Sequence, residues 1–194
     1  MPVNSISAFE YSTILVSIIL GLGITHLLSA FTDLLYNRRQ VRFYWPQGTW
    51  VIFILFLHIQ DWFITYQLKN KMAWTFTEMV FVLLYPVSLF VIAKLLLPSN
   101  EREESKDMKE YYMSQFPVIF LVMACSILLS VLFNLALLQQ SPVQQLPQGV
   151  FFFVMLFMAV KKIRHSLYHQ LIAAGLAVAT ILSVLLEKEN WVIN

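Results

Sequence analysis

Formal charge is what this sequence has least of: 13 Lys and Arg and 11 Asp and Glu in 194 residues make 12%, where a soluble domain carries roughly a quarter. That scarcity excludes a soluble globular protein, and a mean hydropathy of +0.69 points to a chain whose solvent is mostly lipid. Glycine and proline are also scarce, at 5 and 7 residues, which excludes collagen and disordered low-complexity chains. The single cysteine, Cys125, excludes an intramolecular disulfide and lies in an apolar run. A net charge of only +2, with no basic stripe, excludes a nucleic-acid partner. No Lys or Arg precedes the first apolar run, so that run reads as a retained helix and not as a cleaved leader. Pro2 and the lack of a C-terminal Cys box give no lipidation motif.

What is present is a series of apolar runs of spanning length. A transmembrane helix needs about 20 mostly apolar residues. The sequence predicts one integral membrane domain over 1–194, an all-α bundle of six such helices at about 9–35, 47–68, 74–97, 116–138, 147–163 and 168–186. The uncharged stretch from Tyr111 to Val160 is divided by QQSPVQQLPQ, whose two prolines break any single helix. Six spans put ten basic residues on one side (Arg38, Arg39, Arg42, Lys94, Arg102, Lys106, Lys109, Lys161, Lys162, Arg164) and three on the other (Lys69, Lys71, Lys188). Five spans would give only eight against five. The positive-inside rule therefore predicts both termini outside. Tyr36, Tyr44, Trp45, Tyr111, Tyr112 and Tyr168 read as an inner aromatic belt, and Tyr11, Trp62, Tyr66, Trp74 and Trp191 as an outer one. The loop 98–115 pairs charges of both signs at helical spacing, such as Glu103 with Lys106. It reads as a short solvated cytoplasmic helix that splits the chain into three helices plus three.

The stretches FEYSTILVSIILGLGITHLLSAFTDLL, RRQVRFYWPQGTW, HIQDWF and LLLP resemble a group of uncharacterised bacterial polytopic integral membrane proteins. The likeness covers about the first half of the chain. It implies a bacterial inner-membrane setting and carries no activity, so no catalytic residue is transferred from it.

Small residues recur every four positions on the first helix at Ser17, Gly21, Thr25 and Ser29, the spacing that lets two helix backbones approach in lipid. Gly175, Ala179 and Ser183 repeat the pattern on the sixth. Whether the partner helix is in the same chain or in another copy is left open by the motif; a homo-oligomer is the expectation. Ser126, Ser130 and Asn134 on the fourth helix predict interhelical hydrogen bonds.

Ionisable groups in spans are costly and are functional candidates by default. Glu10, Glu78 and Asp61 fall in the outer halves of the first three helices, and His58 falls near the bilayer centre. Helical period places Trp50, Ile54, His58, Asp61, Trp62 and Thr65 on one face. A His one turn before an Asp can share a proton with it, which suits a relay; the plainer alternative is a pair that only locks helix packing. His26, Ser29 and Asp33 share a face but make no triad on identity alone. Haem between His26 and His58 requires equal depth, and the two differ by roughly 9 Å. His165 and His169 lie one turn apart among basic neighbours, without cysteine, so KKIRHSLYH reads as a lipid-headgroup segment and not as a metal site. No cofactor and no metal are expected.

The leading expectation is a small homo-oligomeric proton- or cation-conducting, or proton-coupled, transport module whose path is lined by Glu10, His58, Asp61 and Glu78. A second is a non-catalytic scaffold or sensor whose cytoplasmic face, with Arg38, Arg39, Arg42, Lys161, Lys162 and Arg164, binds a soluble partner or anionic lipid. A third is an intramembrane haem or lipid enzyme, disfavoured against a non-enzyme. Cysteine labelling at the loop tips is expected to find 98–115 on the cytoplasmic side; labelling of that loop from outside overturns the orientation.

Overall fold

The computed structural model describes residues 7–71, 73–98 and 107–186. Six helices emerge: α1 (Ala8–Tyr36), α2 (Trp45–Thr65), α3 (Phe76–Leu96), α4 (Met108–Ala136), α5 (Leu146–Lys161) and α6 (Ser166–Leu186). Short 3₁₀ turns extend α2 over Tyr66–Asn70 and lead into α5 over Pro142–Gln145. With these turns, all six are long and apolar enough to cross a membrane, and no strand occurs among the described residues.

Local chemistry explains the helix ends. Ser7 and Glu10 form a capping box at the start of α1, and Thr75 and Glu78 form another at α3, each acid bonding back to the cap amide. Pro46 and Pro147 occupy first-turn positions of α2 and α5, where a missing N–H costs nothing. α4 begins eight residues before its expected start at 116, because Asp107 caps it by accepting from the amides of Lys109 and Glu110. Residues 108–115 thus belong to a spanning helix and not to a separate solvated one; Arg102, Glu103 and Lys106 lie outside the described residues, as do Lys188 and Trp191. The break at QQSPVQQLPQ takes the form of a left-handed Gln139 at φ 53° followed by the 3₁₀ turn.

α2 is the central helix, packed on α1, α3, α4 and α6, while α1 packs on α3, α3 on α4, and α4 on α5. Helices from both sides of the 98–107 link therefore share one core. The 37–44 link meets the starts of α4 and α6 at one end: Tyr44 OH lies 3.2 Å from Ser166 Oγ, and Met108 N donates to Arg42 O at 3.2 Å. There the last carbonyls of α3 accept from other helices, Leu96 O from Gln47 Nε2 at 2.6 Å and Leu95 O from Tyr111 OH at 3.1 Å. Three belt assignments change accordingly. Tyr44, Tyr111 and Tyr112 are core residues, whereas Tyr36, Trp45 and Tyr168 are exposed as interfacial residues should be.

The small-residue row on α1 also changes meaning. Its buried face is Ser12, Val16, Leu20, Gly23, Leu27 and Ala30; Gly21, Thr25 and Ser29 point away from the bundle, and Ser17 is half-buried. Within the chain the close approach falls one step along, at Gly23, where a Cβ would land on His58 Nε2 and 2.7 Å from Cδ2. Gly21 has open space at the same point. A methyl at 23 must push the buried imidazole off its rotamer, an overpacking cost of about 1–3 kcal/mol. Gly23→Ala is therefore expected to lower thermal stability in detergent while Gly21→Ala leaves it within about 0.5 kcal/mol of wild type. Equal melting of the two variants would contradict this packing.

Candidate functional site

Two polar zones lie along α2, one saturated and one not. Nearer the 37–44 end, buried Trp50 donates through Nε1 to Tyr112 OH at 3.1 Å. The Tyr112 hydroxyl lies 3.1 Å from His169 Nδ1, and His169 Nε2 lies 2.8 Å from Ile163 O. A carbonyl only accepts, so Nε2 carries the proton, Nδ1 accepts from Tyr112, and the chain Trp50–Tyr112–His169–Ile163 is complete with a neutral imidazole. Phe116 packs edge-on against His169 with centroids 4.6 Å apart, and Phe120 packs 5.4 Å from Trp50. His169, read from sequence as part of a headgroup segment, is instead fully buried; His165 stays exposed beside Tyr168. The missed signal was spacing: His169, Ala173 and Leu176 form the buried stripe of α6 at helical period.

The second zone is a partly open cavity of about 160 Å³ in the half of the bundle nearer the 66–75 end. α2, α3, α4 and α5 enclose it. Its polar lining is Asp61 and Gln60 from α2, Tyr85 from α3, Ser126, Ser130 and Asn134 from α4, and Gln148 from α5. Phe53 and Phe151 form its floor, and both pack on Trp50 with centroids 6.0 and 6.2 Å away, so the aromatic layer separates the two zones. At the other end an amide clasp closes the α4–α5 turn: Asn134 Nδ2 donates to Gln145 Oε1 at 2.9 Å, and Gln145 Nε2 to Gln140 Oε1 at 3.0 Å. Ser126 donates to Ser88 of α3 at 2.8 Å, an interhelical bond of the kind its spacing predicts.

Asp61 is the group this cavity leaves open. It is 8% exposed, and its Oδ2 has no hydrogen-bond partner, a costly state for a buried carboxylate. Gln148 Oε1, from α5, is a second unpartnered acceptor among the lining residues. Both are acceptors, so what they lack is a donor.

His58 is fully buried but turned to α1. Its Nδ1 donates to Ile54 O at 2.7 Å, and its Nε2, facing Gly23, has no partner. The structure thus gives His58 and Asp61 different neighbours and not a shared proton. His26, the other histidine considered for a haem, has its Nδ1 3.2 Å from Lys94 Nζ. The other two acids serve as helix caps. Glu10 Oε2 accepts from Ser7 N at 2.7 Å, and Glu78 holds both the Thr75 cap and Lys71 Nζ at 2.8 Å. Trp62, placed on the buried face by periodicity, is 47% exposed. Among the described residues no three His, Cys, Asp or Glu converge as metal ligands. Arg38, Arg39, Arg42, Lys161, Lys162 and Arg164 are all exposed at the 37–44 end, with Arg42 3.8 Å from Asp107.

The Trp50–Tyr112–His169 chain has a direct test. Tyr112→Phe keeps the ring and strands the Trp50 donor and the His169 acceptor, which should cost about 1–3 kcal/mol. Denaturation in mixed micelles measures it, and a Phe variant as stable as wild type would show that the chain contributes nothing. No family model, no curated protein and no solved structure matches this sequence.

Proposed function

We propose that this multi-pass membrane protein is a proton- or cation-coupled transport module in which Asp61 is the exchange site. One observation carries the reading: an unpartnered carboxylate oxygen, buried between spanning helices, faces a cavity lined by hydroxyl and amide groups. A carboxylate at such depth is tolerable when protonated or when a cation sits against it, and both cannot occupy one oxygen at once. Exchange of proton for cation at Asp61 is therefore the elementary coupling step. The aromatic floor favours a carrier over an open pore, since Phe53, Phe151 and Trp50 close the cavity toward the 37–44 end. Release to that side requires the floor to part.

The remaining elements of the reading follow from charge and shape. The inner membrane of a bacterium, with the 37–44 end in the cytoplasm and both termini outside, is the setting that the basic residues of that end favour. The outward Gly21, Thr25 and Ser29, with half-buried Ser17 in the same row, favour a homo-oligomer in which copies meet through α1. The exposed Arg38, Arg39, Lys161, Lys162 and Arg164 favour contact with anionic lipid or a soluble partner at the same end, which is the second reading of the molecule.

Asp61→Asn keeps the shape and hydrogen-bonding capacity of the side chain and abolishes proton exchange. In proteoliposomes under a pH gradient the variant is expected to assemble normally and to lose flux about tenfold or more, the consequence of removing one charged partner worth about 1.5–3 kcal/mol. Full flux in a well-assembled Asp61→Asn protein rules out Asp61 as the exchange site.

A further inference from the structure

We propose that the cavity binds a small single-ring organic ammonium ion, with its ammonium group on Asp61 and Gln148 and its ring against the aromatic floor. The inference rests on the reading of Asp61 as the cation-exchange site and names the chemical class that the site takes.

Charge comes first. Among the residues that line the cavity, Asp61 is the only ionisable one besides Tyr85, and no Lys, Arg or His lines it, so a monocation matches it. The two orphaned atoms, Asp61 Oδ2 and Gln148 Oε1, are both acceptors, and an ammonium group brings several donors on one nitrogen. A bare alkali or alkaline-earth ion is served less well. Hard cations collect several oxygen ligands, and here Asp61 is the one carboxylate, Ser126 and Asn134 are already bonded to Ser88 and Gln145, and ten of the seventeen lining residues are apolar.

Shape and apolarity supply the rest. Phe53, Phe151, Phe133 and Tyr85 present aromatic surface to the cavity, which suits both an apolar ring and a cation. The volume of about 160 Å³ is close to that of an engineered cavity of about 150 Å³ that holds one benzene. A proton or a metal ion would leave most of that apolar wall unused; an arylalkylamine covers it.

Binding of benzylammonium chloride to the full chain in lipid nanodiscs, followed by calorimetry, tests the proposal against benzyl alcohol, a neutral molecule of nearly the same shape. Saturable binding of benzylammonium at least about tenfold tighter than the alcohol is expected, since the charged hydrogen bond carries the difference. Asp61→Asn should erase that preference. Ser130→Leu, which fills the cavity and leaves Asp61 in place, should weaken benzylammonium about tenfold or more by removing room for the ring. Equal binding of the two probes by the wild type, or an undiminished preference in Asp61→Asn, overturns the proposal. If benzylammonium does not bind while Asp61-dependent proton flux is measured in the same lipid, the organic-ammonium assignment falls and the exchange reading stands. If benzylammonium binds through Asp61 and no flux occurs, transport falls and the ligand class stands.

Discussion

Hydrocarbon offers no hydrogen-bond partner, so every polar side chain of a spanning helix must be met by another helix or by something bound between them. α2 carries the heaviest load of this kind: Gln47, Trp50, His58, Asp61 and Thr65 are all buried. The bundle is arranged to meet them. Gln47 supplies a donor to the open end of α3, and Trp50 reaches the hydroxyl of α4. His58 turns its bonded nitrogen to its own backbone and lays its ring on Gly23 of α1. Thr65 bonds the carbonyl of Asp61, one turn before it. Gln47 Oε1 and His58 Nε2 are left without partners, and so is Asp61 Oδ2, the one of the three that faces the cavity between α2, α3, α4 and α5. A helix with polar groups on several sides cannot face lipid, which is why α2 is central although α3, with fewer polar residues, has the higher hydropathy.

How much of this was legible in the sequence depends on the kind of signal. Six spans and their approximate limits follow from run length and from the proline pair at the α4–α5 turn, because lipid imposes one length scale on all of them. Asp61 stood out for the same reason: charge at depth is rare. What periodicity could not resolve was which neighbour each face meets. His58 and Asp61 share a stripe of α2 yet belong to different interfaces, and a single-helix pattern contains no information about a second helix. The small-residue row misled in a related way, since spacing marks a surface able to pack but not the surface that does. Gly23, outside the row, makes the contact that Gly21 does not. Glu10 and Glu78 also have a local role that spacing shows. Ser7-x-x-Glu10 and Thr75-x-x-Glu78 are capping-box spacings, a local explanation that precedes any appeal to a conducting path.

The two polar zones differ in a manner that bears on their roles. In the Trp50–Tyr112–His169 chain every donor named has an acceptor, so the zone has nothing left to bind and serves as rigid support for the aromatic layer above it. The cavity on the other side of that layer keeps two acceptors without donors. A saturated floor beneath an unsaturated chamber is a sound arrangement for a binding site, because the chamber can change occupancy without loosening its base.

His169 sits on α6, so the order in which the helices enter the membrane decides when its bonds form. Trp50 and Tyr112 emerge from the ribosome well before it, and until α6 enters the membrane the Tyr112 hydroxyl has no imidazole to receive its proton. A nascent chain halted after α5 therefore holds an unsatisfied buried donor against the centre of its bundle, along with the α2 surface that α6 covers. Insertion of α6 is what closes the hydrogen-bond chain. Docking of α6 on α2 therefore buries a polar contact and an apolar surface in one event.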